Sequence, residues 1–96
     1  MAGPVSLEEQ TIRGHKAAQI LENPLVIEAF AEVRKQIMLA WEQTPARDVE
    51  AREFMFKLHQ ASLRFEEVFK GYVDTGKMAA DQIRQKSLDG KLKSMI

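Results

Sequence analysis

The sequence predicts an all-α protein built on a long antiparallel helical hairpin, and two apolar patterns support this fold class. The downstream seam repeats at alternating intervals of four and three residues, which is the spacing of a helix that packs along a partner helix. The upstream seam has a similar length and precedes a short break that contains one proline. We expect the two seams to face each other as the core of the hairpin. The downstream seam consists of Phe54, Leu58, Ala61, Phe65, Val68 and Tyr72, and the upstream seam of Val26, Phe30, Val33, Ile37 and Ala40 with Trp41 beside it.

The composition is that of one small folded domain. A chain of 96 residues buries roughly 60–65% of the surface of its unfolded chain and gains stability from oligomerisation. Its 45% hydrophobic and 29% charged residues indicate a folded rather than a disordered protein. We expect no contact with a membrane, because no long apolar run and no signal-peptide pattern occur. The absence of cysteine excludes disulfide bonds and thiolate metal sites.

The first predicted helix covers about residues 7–22. Ser6 followed by Glu9 is a capping-box pattern, which marks the start of a helix. Gly14 and Ala17 lie on its narrow apolar side, and a glycine inside a helix costs roughly 1 kcal/mol relative to alanine. Because this helix is weak by itself, we expect it to dock on bulky side chains from elsewhere in the chain.

The second predicted helix covers about residues 24–43. Asn23 suits the N-cap position, and Pro24 suits the first position of a helix. Arg34 lies within the apolar flank of this helix, and three interpretations of it are open. Its guanidinium could stack on Trp41, reach an acidic residue across the hairpin, or extend into solvent with only its stem buried.

The third predicted helix covers about residues 46–75. A second proline turn at Pro45, with Asp48 following, repeats the start signal of the second helix. Gly76 is the expected terminating residue, because glycine commonly ends helices in a left-handed conformation. Residues 1–76 would then form the helical domain, and residues 77–96 would form a basic, partly helical C-terminal arm.

A second apolar surface of the third helix lies almost opposite the downstream seam. We name it the interface stripe, and it consists of Val49, Phe56 and Leu63. A helix that is apolar on more than one side is not satisfied by one partner helix. Met55, Phe69 and Val73 form a further apolar flank of this helix. Two interpretations are open: the first helix folds back over the interface stripe or over this flank to give a three-helix domain, or another subunit or partner covers the interface stripe.

The C-terminal arm carries a charge opposite to that of the preceding residues. Residues 77–96 contain five basic and two acidic residues, whereas residues 1–76 contain nine basic and twelve acidic residues. A basic arm can bind a phosphate backbone or an acidic protein surface, or it can simply be solvated. We consider it a candidate docking tail that binds as a helix in a groove. The candidate residues are Lys86, Leu88, Lys91, Leu92, Lys93 and Met95.

Motifs for catalysis and for cofactors are missing from the sequence. His15 and His59 lie on different predicted helices, without the spacing of a zinc or di-iron ligand set. The five glycines are scattered and form no phosphate-binding loop. No nucleophile has an adjacent base. We therefore expect a protein that is not an enzyme, with no catalytic, metal or cofactor-binding residues.

Four short segments within about residues 18–80 carry a resemblance to a known group of proteins. They are LENPLVIEAF at 21–30, AWEQT at 40–44, RDVEARE at 47–53 and TGKMA at 75–79. Together they resemble small helical proteins that tailed bacteriophages encode among their head and DNA-packaging genes. The resemblance implies a phage protein located in the virion or the host cytoplasm. It implies no activity and no functional residues.

The sequence leads us to expect a structural or assembly protein of a phage. It would act through homo-oligomerisation and would dock on virion or packaging proteins. Two alternatives are open. One is a small inhibitor or modulator that binds a host protein through the interface stripe. The other is a DNA-packaging factor that contacts nucleic acid through the basic arm.

Overall fold

The protein is all-α, and its first two helices have the predicted bounds. The computed structural model describes residues 5–95, and no β-strand occurs among them. Helix α1 is Leu7–Glu22, helix α2 is Pro24–Gln43 and helix α3 is Val49–Met95.

Side-chain caps explain where the first two helices begin. The Ser6 hydroxyl oxygen accepts a hydrogen bond from the Glu9 backbone N–H at 3.1 Å, as the capping pattern predicts. The Asn23 side-chain oxygen accepts hydrogen bonds from the backbone N–H groups of Leu25 and Val26, at 2.9 Å and 3.4 Å. Pro24 occupies the first helical position, where its missing N–H costs nothing.

Helix α3 begins later than predicted, because Asp48 provides its cap. The Asp48 carboxylate accepts a hydrogen bond from the Ala51 backbone N–H at 3.1 Å. Thr44 instead ends helix α2, with its backbone N–H donating to the Trp41 carbonyl at 3.1 Å. Pro45 therefore lies in the turn between the helices and does not open helix α3.

The predicted end of the third helix at Gly76 is wrong. Helix α3 passes through Gly76 and Gly90 without interruption and continues to Met95, so it contains 47 residues. A terminating glycine adopts a positive φ, and no glycine in the described part of the chain does so. The C-terminal arm is therefore the continuation of one helix.

The chain divides into two compact units. Unit 1 combines the residues up to Ile20, which include most of helix α1, with the part of helix α3 from Phe69 onward. Unit 2 is Leu21–Val68, and it contains helix α2 and the first part of helix α3.

Unit 1 is built on a close approach between two glycines. A Cβ atom added to Gly14 would lie 2.8 Å from the Cα of Gly76 and 2.8 Å from the carbonyl oxygen of Tyr72. Ala17 and Ala79 are buried in the same unit. The expectation that helix α1 docks is confirmed, but small residues meet it at this crossing in place of the predicted bulky side chains. Gly76 serves this contact, which explains why it does not end the helix.

An aromatic contact supports the same pair of helices. The guanidinium carbon of Arg13 lies 4.3 Å from the ring centre of Tyr72, which is the geometry of a cation–π interaction. The Tyr72 ring also meets Phe69 edge to face, with 6.5 Å between the ring centres. Tyr72 was predicted as part of the hairpin core, whereas these contacts place it in unit 1.

We predict that Gly14→Ala destabilises the protein by about 1–3 kcal/mol, because the new methyl group meets backbone atoms that cannot move aside. The measurement is thermal unfolding followed by circular dichroism. Gly71→Ala is the matched control, since a Cβ atom there meets nothing within 4 Å. It should stabilise helix α3 by roughly 0.5–1 kcal/mol through helix propensity alone. Equal stabilisation by both variants would contradict the glycine contact.

Candidate interaction surfaces

Helices α2 and α3 of unit 2 meet through specific contacts. The rings of Phe30 and Phe65 pack edge to face, with their centres 6.2 Å apart. The Arg34 Nη2 atom donates to both carboxylate oxygens of Glu66 at 3.1 Å. Nearer the turn, the guanidinium carbon of Arg52 lies 5.3 Å from the ring centre of Trp41. The contact closest to the end of helix α2, at Trp41, thus involves the earliest of these residues of helix α3.

A largely polar strip of helix α3 is the side that faces helix α2. Met55, His59, Ser62 and Glu66 are half-buried, and they recur at the same intervals of four and three residues as the downstream seam. Each lies one residue after a seam position, which corresponds to a rotation of about 100° around the helix axis. The Arg34–Glu66 ion pair joins this strip to helix α2, and the small Ser62 side chain leaves room for the close approach of the two helices.

The predicted hairpin core is therefore only partly correct. Ile37 is buried, and Val26 and Phe30 are half-buried, as expected for residues of helix α2 that face α3. Phe54 and Phe65, however, are each 60% exposed. The cause is the rotation of helix α3, which places its largest apolar side chains beside the helix contact. The other predicted core residues that are exposed are Val33, Trp41, Leu58 and Val68.

Three residues of the downstream seam, Leu58, Ala61 and Phe65, form part of one wall of an open groove within unit 2. The groove has a volume of about 650 Å³ and lies along one side of the contact between helices α2 and α3. Phe30, Val33, Ile37 and Ala40 of the upstream seam form the facing wall, together with Ala29 and Gln36. The wall on helix α3 contains Met55, Leu58, Ala61, Ser62 and Phe65. The two predicted seams thus border a common space.

A second apolar surface lies on the other side of the same helix pair. Trp41, Val49 and Phe56 line it together with Arg52, whose guanidinium covers part of the Trp41 ring. Phe56 is 59% exposed, and Val49 and Leu63 are exposed as well. The structure brings Val49 and Phe56 of the interface stripe together with Trp41, while Leu63 does not line this surface. All three residues are exposed, so no part of the described chain covers the interface stripe. The other form of the three-helix interpretation, with helix α1 over the flank of Met55, Phe69 and Val73, agrees in part with unit 1, where Val73 lies beside Gly14 and Ala18 of helix α1.

Among the three interpretations of Arg34, the contact across the hairpin is confirmed. Arg34 binds Glu66, whose side chain retains 18% of its exposure. Trp41 instead contacts Arg52, a pair that sequence analysis missed. The polar strip that contains Glu66 was also missed, although its regular spacing was readable from the sequence.

The candidate docking tail is the last part of helix α3. Its residues Lys86, Leu88, Lys91, Leu92 and Lys93 are exposed, as docking requires. The side chain of Met95 lies outside the described residues. Leu88 and Leu92 are four residues apart, so they occupy neighbouring positions on one side of the helix.

The described residues contain no grouping that could hold a metal ion. No set of three histidine, cysteine, aspartate or glutamate side chains converges among residues 5–95. His15 is exposed in unit 1 and His59 is half-buried in unit 2. No helix within the described range has both the length and the apolar character needed to cross a membrane.

Comparison of the chain with protein-family models, with characterised proteins and with solved structures found no significant match.

We predict that Glu66→Ala destabilises the protein by about 1 kcal/mol or more, because it removes two hydrogen bonds and leaves the Arg34 guanidinium without its partner. Chemical denaturation followed by circular dichroism measures this loss. The control is Asp81→Ala, which removes an ion pair whose Arg84 and Asp81 side chains are both largely exposed. It should change the stability by less than about 0.5 kcal/mol. An equally small effect at Glu66 would contradict its role in orienting helix α3.

Proposed function

We propose that this chain is a non-enzymatic structural or assembly protein of a tailed bacteriophage, which acts through homo-oligomerisation and docks on virion or packaging proteins. The observation that carries the oligomeric part is the amount of apolar surface outside the helix contacts. The phage context is supported by the resemblance of the four segments within residues 18–80.

The described chain has almost no apolar core of its own. Ala17, Ile37 and Ala79 are the only buried hydrophobic residues of the described chain, and Ile37 is the only large one. Burying one large apolar side chain contributes about 1.5–3 kcal/mol, so the exposed ones represent a large unused stabilisation. In unit 2 they are Leu25, Ile27, Val33, Met38, Leu39, Trp41, Val49, Phe54, Phe56, Leu58, Leu63, Phe65 and Val68.

The exposed area supports the same conclusion. The chain of 10.9 kDa has an accessible surface of 7938 Å². Folded monomers of this mass have about 5,600 Å² on average. The accessible surface of this chain exceeds that average by well over the ~800 Å² that each partner buries in a standard interface. A permanent partner is therefore favoured over an isolated chain.

Two apolar surfaces of unit 2 and the end of helix α3 are available for separate contacts. The groove and the Trp41 surface lie on different sides of one helix pair, so both can be occupied at once. Leu88 and Leu92, beside Lys91 and Lys93, form an amphipathic segment suited to an acidic groove on another protein. A chain with several separate contact surfaces fits an assembly role.

We predict that the purified protein is an oligomer at micromolar concentration. Light scattering coupled to size-exclusion chromatography should give at least twice the chain mass of 10.9 kDa. The unfolding temperature should rise with protein concentration, because association stabilises the folded state by mass action. A monomer with a concentration-independent unfolding temperature would contradict homo-oligomerisation.

The phage assignment needs its own measurement. Mass spectrometry should detect peptides of this chain in purified virions of the phage that encodes it, or in the assembly intermediates of those virions. Its absence from both would contradict the structural or assembly role.

A further inference from the structure

We propose that the groove of unit 2 is occupied by a second copy of this chain, with helix α2 of each copy packed over helix α3 of the other. This inference rests on the proposed homo-oligomerisation and specifies the surface and the orientation. The result would be a four-helix arrangement in which the downstream seam becomes part of a shared core.

The walls of the groove have the pattern that a helical partner requires. Along helix α3, Leu58, Ala61 and Phe65 follow intervals of three and four residues. Along helix α2, Ala29, Val33, Gln36 and Ala40 follow intervals of four, three and four. Both walls therefore continue a coiled-coil repeat on a side where unit 2, residues 21–68, provides no further helix. Two more helices would complete the repeat.

The outer rims of the groove carry opposite charges. On helix α2, Glu32 accepts a hydrogen bond from the Gln36 side chain at 3.2 Å, and Gln36 lines the groove. On helix α3, Lys57 and Arg64 flank Ala61, which belongs to the groove wall. All three charged residues are exposed, and none has an ion-pair partner within residues 5–95. Glu32 thus provides an acidic residue on the α2 rim, and Lys57 and Arg64 provide two basic residues on the α3 rim.

Glu32 and Arg64 lie at the same level of the helix pair. Phe30 contacts Phe65, and Arg34 binds Glu66, so the residues on either side of Glu32 on helix α2 meet the residues that follow Arg64 on helix α3. A two-fold axis parallel to the helices preserves this level. It places Glu32 of one copy beside Arg64 of the other, twice in each dimer.

Charge selects this orientation over the alternative. With the two-fold axis across the helices, α2 would pack on α2 and α3 on α3. Lys57 and Arg64 would then meet the same basic residues of the second copy, which is unfavourable. The arrangement of α2 over α3 instead pairs Glu32 of each copy with Arg64 of the other. Because each chain supplies both rims, the groove is complementary to another copy of itself, which argues for a second copy as its occupant.

The test is a set of charge reversals in the full chain, with dissociation constants measured by analytical ultracentrifugation. Glu32→Arg and Arg64→Glu should each weaken the dimer by about tenfold or more, since each creates two like-charge contacts per dimer. The double variant, Glu32→Arg with Arg64→Glu, should regain affinity to within roughly threefold of the wild type. An equimolar mixture of the two single variants should also associate more tightly than either does alone.

Asp74→Lys is the matched control, because it reverses an exposed acid of helix α3 that belongs to unit 1 and is ten residues beyond Arg64 in the sequence. It should leave the dissociation constant within roughly twofold of the wild-type value. Circular dichroism at high protein concentration shows whether each variant is helical, and recovery in the mixture tests the proposal even if a single variant folds poorly.

The outcomes separate this inference from the proposed function. A monomeric wild-type protein contradicts homo-oligomerisation itself. An oligomer that none of the reversals weakens overturns the groove as its interface and leaves homo-oligomerisation intact. Weakening by the single variants without recovery in the double variant overturns the packing of α2 over α3.

Discussion

The rotation of helix α3 about its own axis determines which of its residues face helix α2 and which remain exposed on the surfaces of unit 2. The strip that contains Ser62 and Glu66 faces helix α2, and the Arg34–Glu66 ion pair joins the two helices there. Because the directions of side chains around a helix are fixed relative to one another, this rotation leaves Phe54 and Phe65 largely exposed. It also creates the groove and separates it from the Trp41 surface.

The starts of helices α1 and α2 were predictable because local chemistry determines them. Ser6 and Asn23 cap their helices through hydrogen bonds to backbone N–H groups two or three residues away, so the relevant information lies within a few positions. Gly76 shows the limit of such reasoning. A glycine can end a helix or allow another backbone to approach, and only the position of Gly14 in space distinguishes the two roles.

The interaction surfaces were harder to predict for a related reason. The spacing of Phe54, Leu58 and Phe65 correctly indicates a helix that needs a partner, but it does not say whether that partner belongs to the same chain. Polar residues with the same spacing face helix α2 instead, and the ion pair between Glu66 and Arg34 is the contact that identifies them as the packed side of helix α3. The interpretation of the apolar periodicity therefore assigned to the hairpin core residues that are exposed in the structure.

Protection of Phe65 on assembly is the most direct test of this arrangement. Hydroxyl-radical footprinting with mass spectrometry can follow Phe65 and Phe56, which are almost equally exposed in one chain, at 60% and 59%. In assembled protein, compared with dilute protein, the reactivity of Phe65 should fall several-fold, as for a side chain buried in an interface core, while Phe56 remains reactive. Unchanged reactivity of Phe65, or protection of Phe56 alone, would contradict the groove as the site that a second copy fills.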